Sequence, residues 1–301
     1  MAGHRVAQVW YSRRVDFSII TPSFRSGSWL KLCIASVADQ QGVSHEHIVQ
    51  DAGSDDGTLA WLTQDLRVTA FVEKDEGMYD AINRGLRRAR GELLAYLNCD
   101  EQYLPGTLLA VKEFFAAHPE VEMVFGDALI VNERGEFMAY RKVVCPSMPH
   151  VWVSHLPVLT CATFFRRSLL ERHGLYFDSK WRDVGDAVWM LRALEKNVRM
   201  AVLRRYTSVF TRTACNMNFL PNAIREKRQL RATAPVWMRA LKPLWVARHR
   251  LLKWRQGCYQ QAPFTYEIYT QTTPDRRVAF HVQKPVFQLV SPTSLAGERC
   301  S

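Results

Sequence analysis

The stretch Leu93–Glu101, read LLAYLNCDE, constrains this chain most. Five apolar residues, Leu93 to Leu97, stop abruptly at Asn98, Cys99 and two adjacent carboxylates, Asp100 and Glu101. Such a run predicts a strand buried on both faces, the state of a central parallel strand. Open parallel sheets bind ligands at the carboxyl ends of their strands. Two carboxylates at that place are hard oxygen ligands, suited to Mg²⁺ or Mn²⁺ carrying substrate phosphates. In isolation the same residues also read as a polar loop after a strand, so their company decides.

That company is a strand–helix alternation. Phe17–Thr21 is a short β-branched strand, expected to stop at Pro22. Ser26 and Ser28 offer caps for a helix with Leu30, Cys33, Ile34 and Val37 on one face. A second strand ends at Asp51 and runs into a turn of small and acidic residues up to Thr58. Thr58–Leu62 reads as helix and Val68–Glu73 as a third strand. Met78, Ala81, Ile82, Leu86 and Ala89 then follow helical spacing, with Gly91 expected to close the helix. This order predicts a mostly parallel sheet with right-handed crossovers. If the first and fourth strands are neighbours, Thr21-Pro22-Ser23, Asp51 and Asp100 face one crevice.

Further on, Pro105 opens a helix to Ala117, and Val121–Phe125 is a fifth strand. Asn132-Glu133-Arg134-Gly135 reads as a hairpin turn, Val143–Leu159 as irregular, and Thr163–His173 as a strand end and short helix closed by Gly174. A helix starts at Asp183-Val184-Gly185-Asp186, and a strand covers Val198–Leu203.

At this point the residues resemble family 2 glycosyltransferases, over roughly Val15 to Arg212. Five ordered pieces carry the likeness: Ser18–Phe24, Gln50–Thr58, Asp75–Gly85 with Gly91-Glu92, Leu97–Glu101, and Gly185-Asp186 followed by Trp189–Arg192. DEGMYDAINRG resembles a branch that builds bacterial surface polysaccharides. The resemblance implies a GT-A fold, with a mixed, mostly parallel sheet flanked by helices. It implies a catalytic domain over 15–212, with a donor half (15–127) and an acceptor half (128–212), between an N-terminal extension (1–14) and a basic helical extension and tail (213–301).

Implied site residues follow by position. Asp100 matches the metal-binding second Asp of a D-x-D motif, and Glu101 the acidic position after it; the ion is Mn²⁺ or Mg²⁺. Asn98 replaces the first Asp, whose work is at the ribose or a metal-bound water. Asp51 matches the residue that accepts a bond from the donor base, with Thr21, Pro22 and Ser23 against that base and Asp75 at the base or ribose edge. Asp80 and Arg84 either stand near the diphosphate or form an i,i+4 pair worth about 0.3 kcal/mol. Cys99, with acidic neighbours, is a small wall residue rather than a thiolate. Asp186 matches the general base of an inverting transfer, with Asp183 as helix cap; the residues alone also read as a capping box. Arg166 and Arg167 either serve a leaving diphosphate or form a solvated face at a helix start. Where related sequences carry His-Gln, this chain has Thr160-Cys161-Ala162-Thr163.

Charge and cysteines bound the setting. Of a net +11, an excess of +9 falls between Arg225 and Arg255, where ten Lys/Arg face one acid, Glu226. Trp237, Trp245 and Trp254 lie among those bases, which suits an anionic membrane surface, with a helix packed against the catalytic domain or a nucleic-acid patch as alternatives. The seven cysteines are widely spaced without a CxxC pair, which argues against a disulfide framework or a zinc site. The first fourteen residues lack the apolar core of a signal peptide, and no apolar run reaches membrane-spanning length. The expectation is a cytoplasmic enzyme, peripheral on the inner face of the membrane, that takes a nucleotide-diphosphate sugar (a UDP-sugar foremost) and a saccharide or lipid-linked acceptor. Its rivals are a nucleotidyltransferase and a catalytically silent nucleotide-sugar-binding scaffold.

Overall fold

The computed structural model describes residues 15–213 and 221–287. The donor-side elements run β1 (Phe17–Ser23), α1 (Gly27–Ala38), β2 (His45–Asp51), α2 (Thr58–Leu62), β3 (Thr69–Val72), α3 (Met78–Arg88) and β4 (Leu93–Tyr96). After them come β5 (Glu101–Tyr103), α4 (Thr107–Ala117), β6 (Met123–Val131), β7 (Phe137–Arg141) and α5 (Met148–Val153). Then follow β8 (Thr163–Arg166), α6 (Ser168–His173), α7 (Gly185–Glu195) and β9 (Met200–Thr211). The C-terminal part holds α8 (Pro221–Ala232), α9 (Val236–Ala240), α10 (Lys242–Arg255), β10 (Phe264–Thr270) and β11 (Thr273–Val282).

Nine strands form one sheet in the order β3-β2-β1-β4-β8-β6-β9-β5, with β7 also paired to β6. Strands β3, β2, β1 and β4 are mutually parallel, so the first and fourth strands are neighbours as expected. The apolar run behaves as a doubly buried strand must. Leu94 and Tyr96 pack with Ile20, Ile82 and Leu86 on one face. Leu93, Ala95 and Leu97 pack with Phe17, Ile19, Val37 and Leu108 on the other.

Several local expectations need correction. β1 runs through Pro22 to Ser23. The Leu97 N–H donates to the Ile20 carbonyl, and the Ala52 N–H to that of Ser23. Alternation therefore turns Pro22 toward the β4 side, beyond the point where that ladder ends, so its missing donor costs nothing. α3 ends at Arg88, and Gly91 serves a close approach instead: a Cβ there would lie 2.4 Å from the Ser18 nitrogen. The stretch expected to be irregular holds α5, with Pro149 in its first turn, where no backbone donor is needed. β6 continues through Gly126-Asp127, and β9 is twelve residues long.

The tail forms an antiparallel β10–β11 hairpin. Tyr266, Ile268 and Val282 cover Leu129, Val131 and Tyr140, and Arg277 forks onto Asp39 at the end of α1 (2.6 and 2.7 Å). In contrast, α10 buries no residue. Among the described residues, the five cysteines are free and no helix is long and apolar enough to cross a membrane.

Candidate active site

A cleft of about 960 Å³ opens at the carboxyl ends of β1 and β4. Pro22 and Ser23 reach it from β1, and Asn98–Glu101 from the segment after β4. Asp75 and Tyr79 enter from the start of α3, and Asp186 from the first turn of α7.

The acidic pair lacks a counter-charge, with Glu101 buried and Asp100 half-buried. Glu101 is 1% exposed, and its Oε2 accepts the Asn98 N–H at 2.8 Å. Burial, and then the charge of Asp100, push its carboxyl up to about 8. Burial also raises Asp100, which is opposed only by its own backbone N–H. Among the described residues no lysine or arginine pairs with either group. The Asn98 Oδ1 is buried with no hydrogen-bond partner. Buried carboxylates lacking a counter-charge are costly. Two carboxylates and an orphaned amide oxygen are a donor set that fits a hard divalent cation. Cys99 beside them donates its S–H to the Pro22 carbonyl, and burial raises its thiol to about 12, so it is a neutral wall residue.

Across α3 and α7 the packing fixes Asp186. Its N–H donates to Tyr79 Oη at 3.1 Å, and its Oδ1 accepts the Ala187 N–H at 2.8 Å. Burial raises its carboxyl, and the helix-start N–H groups and Tyr79 only partly oppose this. Tyr79 stacks on Phe177 (5.4 Å between centroids), which stacks on Trp189 of α7 (4.8 Å). Gly185 permits this approach, because a Cβ there would lie 2.5 Å from Tyr79 Cε2. Gly77, which starts α3, has φ +118° and lies against Arg182, whose guanidinium donates to the Glu76 carbonyl.

The capping box is absent. The N–H groups of Arg182, Asp183 and Val184 donate to the carboxylate of Glu226 on α8 (2.9, 2.9 and 3.2 Å), and Asn222 bonds the Asp183 side chain. The lone acid of the basic segment thus anchors the turn that leads into the helix carrying Asp186. Sequence reasoning missed both Glu226 and Tyr79. The isolation of one acid among ten bases was the available signal for the first.

Other expected residues lie outside the cleft lining. Thr21 is buried, with its Oγ1 on His47 Nε2 at 2.8 Å, behind the rim. Both oxygens of Asp51 are occupied: Oδ1 accepts the Gly53 and Ser54 N–H groups, and Oδ2 the Ser23 and Ser54 hydroxyls. Asp51 therefore shapes the loop beside Ser23. Asp80 and Arg84 form the i,i+4 pair at 2.8 Å, and Arg84 also reaches Glu73. Arg166 and Arg167 correct the sequence reading. Arg166 lies opposite Leu93, at the far end of β4 from the cleft, and donates to the Val121 and Phe115 carbonyls. Arg167 likewise donates to the Ala89 and Arg90 carbonyls.

Known proteins share this fold. The profile of "Glycosyl transferase family 2" matches residues 18–174. A PGL/p-HBAD biosynthesis glycosyltransferase of Mycobacterium tuberculosis is 29% identical over 225 residues, spanning 71% of this chain and 82% of the relative. Another glycosyltransferase of that species is 30% identical over 192 residues, 58% of this chain and 68% of its own. S. aureus TarS in complex with UDP-GlcNAc superposes with a TM-score of 0.58 at 19% identity, over 80% of this chain and 73% of that one. A Pyrobaculum calidifontis mannosyltransferase in complex with GDP-Man and Mn²⁺ does so with a TM-score of 0.53 at 20% identity, over 80% and 70%. The architecture is that of GT-A glycosyltransferases, as the sequence led us to expect.

Proposed function

The chain belongs to glycosyl transferase family 2, and on that premise we propose a metal-dependent, inverting transfer of a sugar from a nucleotide-diphosphate donor to a saccharide or lipid-linked acceptor. The observation that carries this reading is the Asp100–Glu101 pair beside the orphaned Asn98 oxygen, at the rim of the cleft and paired with no lysine or arginine among the described residues. Asp100 and Glu101 would hold Mn²⁺ or Mg²⁺, with the Asn98 amide toward the ion or the ribose. When bound, the ion offsets negative charge on the departing diphosphate. UDP-GlcNAc and GDP-Man in the structural neighbours support this donor class, and a UDP-sugar is our first choice.

The chain's own groups do the rest. Pro22 and Ser23 support the base, Asp51 holds their loop, and the exposed Phe24 ring offers a stacking face. Asp75, which lines the cleft, would meet the ribose. The acceptor oxygen attacks the anomeric carbon while the bond to the diphosphate breaks and its electron pair leaves with the nucleotide. Asp186 takes the acceptor proton; its raised pKa makes it a stronger base, a contribution of about 10²–10⁴-fold. Residues 15–127 serve the donor and 128–212 the acceptor.

We also assign the α9–α10 region to the membrane surface. Trp237 and Trp254 are 54% and 68% exposed among Arg239, Lys242, Arg248, Arg250 and Arg255. Each basic residue adds about 1 kcal/mol at an anionic surface. This supports work on lipid-linked acceptors of surface polysaccharide at the inner face of the cell membrane. Substituting Trp237 and Trp254 by Ala should weaken cosedimentation with anionic vesicles, and unchanged binding would reject the role.

Turnover decides the main reading. With Mn²⁺ and a panel of nucleotide sugars, donor consumption should fall at least about 100-fold in Asp100→Ala. Donor binding without turnover across the panel would favour the silent scaffold instead.

A further inference from the structure

Away from the cleft, three histidines converge from distant parts of the chain. His150 lies on α5, His155 two residues beyond its end, and His249 on α10. One nitrogen of each ring lies within 4.8 Å of one nitrogen of each of the others. The His150 and His249 rings stack at 4.0 Å, and His155 meets His150 edge-on at 4.7 Å. His150 is only 1% exposed, yet neither of its ring nitrogens completes a hydrogen bond, although the Trp245 carbonyl approaches. A buried imidazole with both nitrogens unsatisfied calls for a ligand.

We propose that His150, His155 and His249 bind a divalent transition-metal ion, Zn²⁺ foremost, which fastens α10 to the segment around α5. Three imidazoles with a fourth position open are a zinc donor set. A tetrahedral Zn²⁺ holds its nitrogens about 3.3 Å apart, so on binding the nitrogens draw together by about 1.5 Å at most and the stacked His150 and His249 rings tilt out of parallel to aim their in-plane lone pairs at the ion. No carboxylate belongs to the cluster, which disfavours Mg²⁺ and Mn²⁺ and separates this site from Asp100.

Burial and neighbouring histidines lower His150 to about 4 and His249 to about 3. Burial first, then Lys253, Arg231 and Arg141, lower His155 as well. Those three cations mean that an ion is held by nitrogen lone pairs rather than by the local field, which again selects a borderline-soft metal. Arg231 is already engaged by the Ser154 carbonyl (2.7 Å) and Arg141 by that of Phe287. The Ser154 hydroxyl lies 3.0 Å from His155 Nδ1 and orients that ring, leaving Nε2 for the metal.

The consequence is mechanical. α10 buries no residue, and nearby apolar packing is a small cluster around Val153, Met238 and Trp245. A metal bridge from His249 to His150 and His155 adds a cross-link over 94 residues of sequence, counted from His155 to His249. The inference does not depend on the chemistry of the cleft.

The test uses the full chain, stripped of metal with a chelator and titrated with Zn²⁺ in excess Mn²⁺, with Co²⁺ as a spectroscopic substitute. One Zn²⁺ per chain is expected, with visible d–d bands for Co²⁺ and slower hydrogen exchange along α10. His249→Ala should weaken Zn²⁺ binding by more than the 10- to 100-fold that roughly follows loss of a supporting hydrogen bond. That helix buries no residue, so the fold survives; His155→Ala, at an exposed position, is a second probe. Asp100→Ala should leave the zinc isotherm unchanged. Wild-type affinity in both histidine variants, or zinc binding that disappears with Asp100, overturns the site. Binding that leaves exchange along α10 unchanged overturns the fastening.

Discussion

Glu226→Ala tests how the C-terminal helices reach the chemistry. The Glu226 carboxylate is 6% exposed and takes three backbone N–H groups in the turn that leads into α7, four residues or fewer before Asp186. An ordinary helix cap is worth about 0.5–2 kcal/mol. This anchor is charged, nearly buried and serves three donors, and bonds to charged groups are worth about 1.5–3 kcal/mol each. Water recovers part of the loss at a helix end, so we expect Glu226→Ala to cost about 2–4 kcal/mol and Glu226→Gln about half of that. For a chain of this size that is about 3–6 °C in Tm. Burial alone would raise the Glu226 carboxyl, but the backbone donors and Asn222 hold it below its usual range. Its contribution is therefore present above the unfolded carboxylate pKa, about 4.3, and is lost as pH falls through the lower folded value. The stability gap between wild type and Glu226→Gln, measured by denaturant midpoints, should close below about pH 4. Transfer assays should show kcat falling while the donor KM holds, because the ends of β1 and β4 are untouched. Unchanged Tm and kcat would refute the link, as would lost donor affinity at constant kcat.

Gly185→Ala places a Cβ 2.5 Å from the Tyr79 ring; overpacking of about 1–3 kcal/mol should lower Tm and displace Asp186, and an unperturbed Tm with full transfer would contradict this packing. Because burial raises Asp186, the acidic limb of kcat/KM should lie above the ordinary carboxylate range, with rate lost as pH falls and the group protonates. Asp186→Asn should bind donor normally yet transfer at least about 100-fold more slowly, and an unchanged rate removes Asp186 from the mechanism. Arg166→Ala should lower stability, having lost bonds to two carbonyls, without changing the donor KM; a raised donor KM would return that residue to the diphosphate.

What was legible in the sequence was local. The run Leu93–Leu97 carried its double burial in its composition, and Asn98–Glu101 marked its carboxyl end. Alternating strands and helices placed β1, β2 and β4 side by side. What stayed hidden depends on partners far away. β5 is three residues long and exists only through its pairing with β9, so no periodicity announces it. The Asp183/Asp186 spacing imitates a capping box, but the Asp183 N–H is taken by Glu226, more than forty residues later, and the Asp186 N–H by Tyr79. Asp51 looked available because its motif does not show that Ser23 and Ser54 occupy both its oxygens. The three histidines share no spacing that suggests a metal, and only the docking of α10 on α5 brings them together.

The central claim is that the cleft beside Asp100 seats the nucleotide and its divalent ion. A crystal soaked with UDP and Mn²⁺, with data collected at the manganese absorption edge, tests it most directly. An anomalous peak is expected against the Asp100 carboxylate, with the diphosphate on it and the base beside Pro22 and Ser23. A nucleotide and ion bound remote from Asp100 would contradict it.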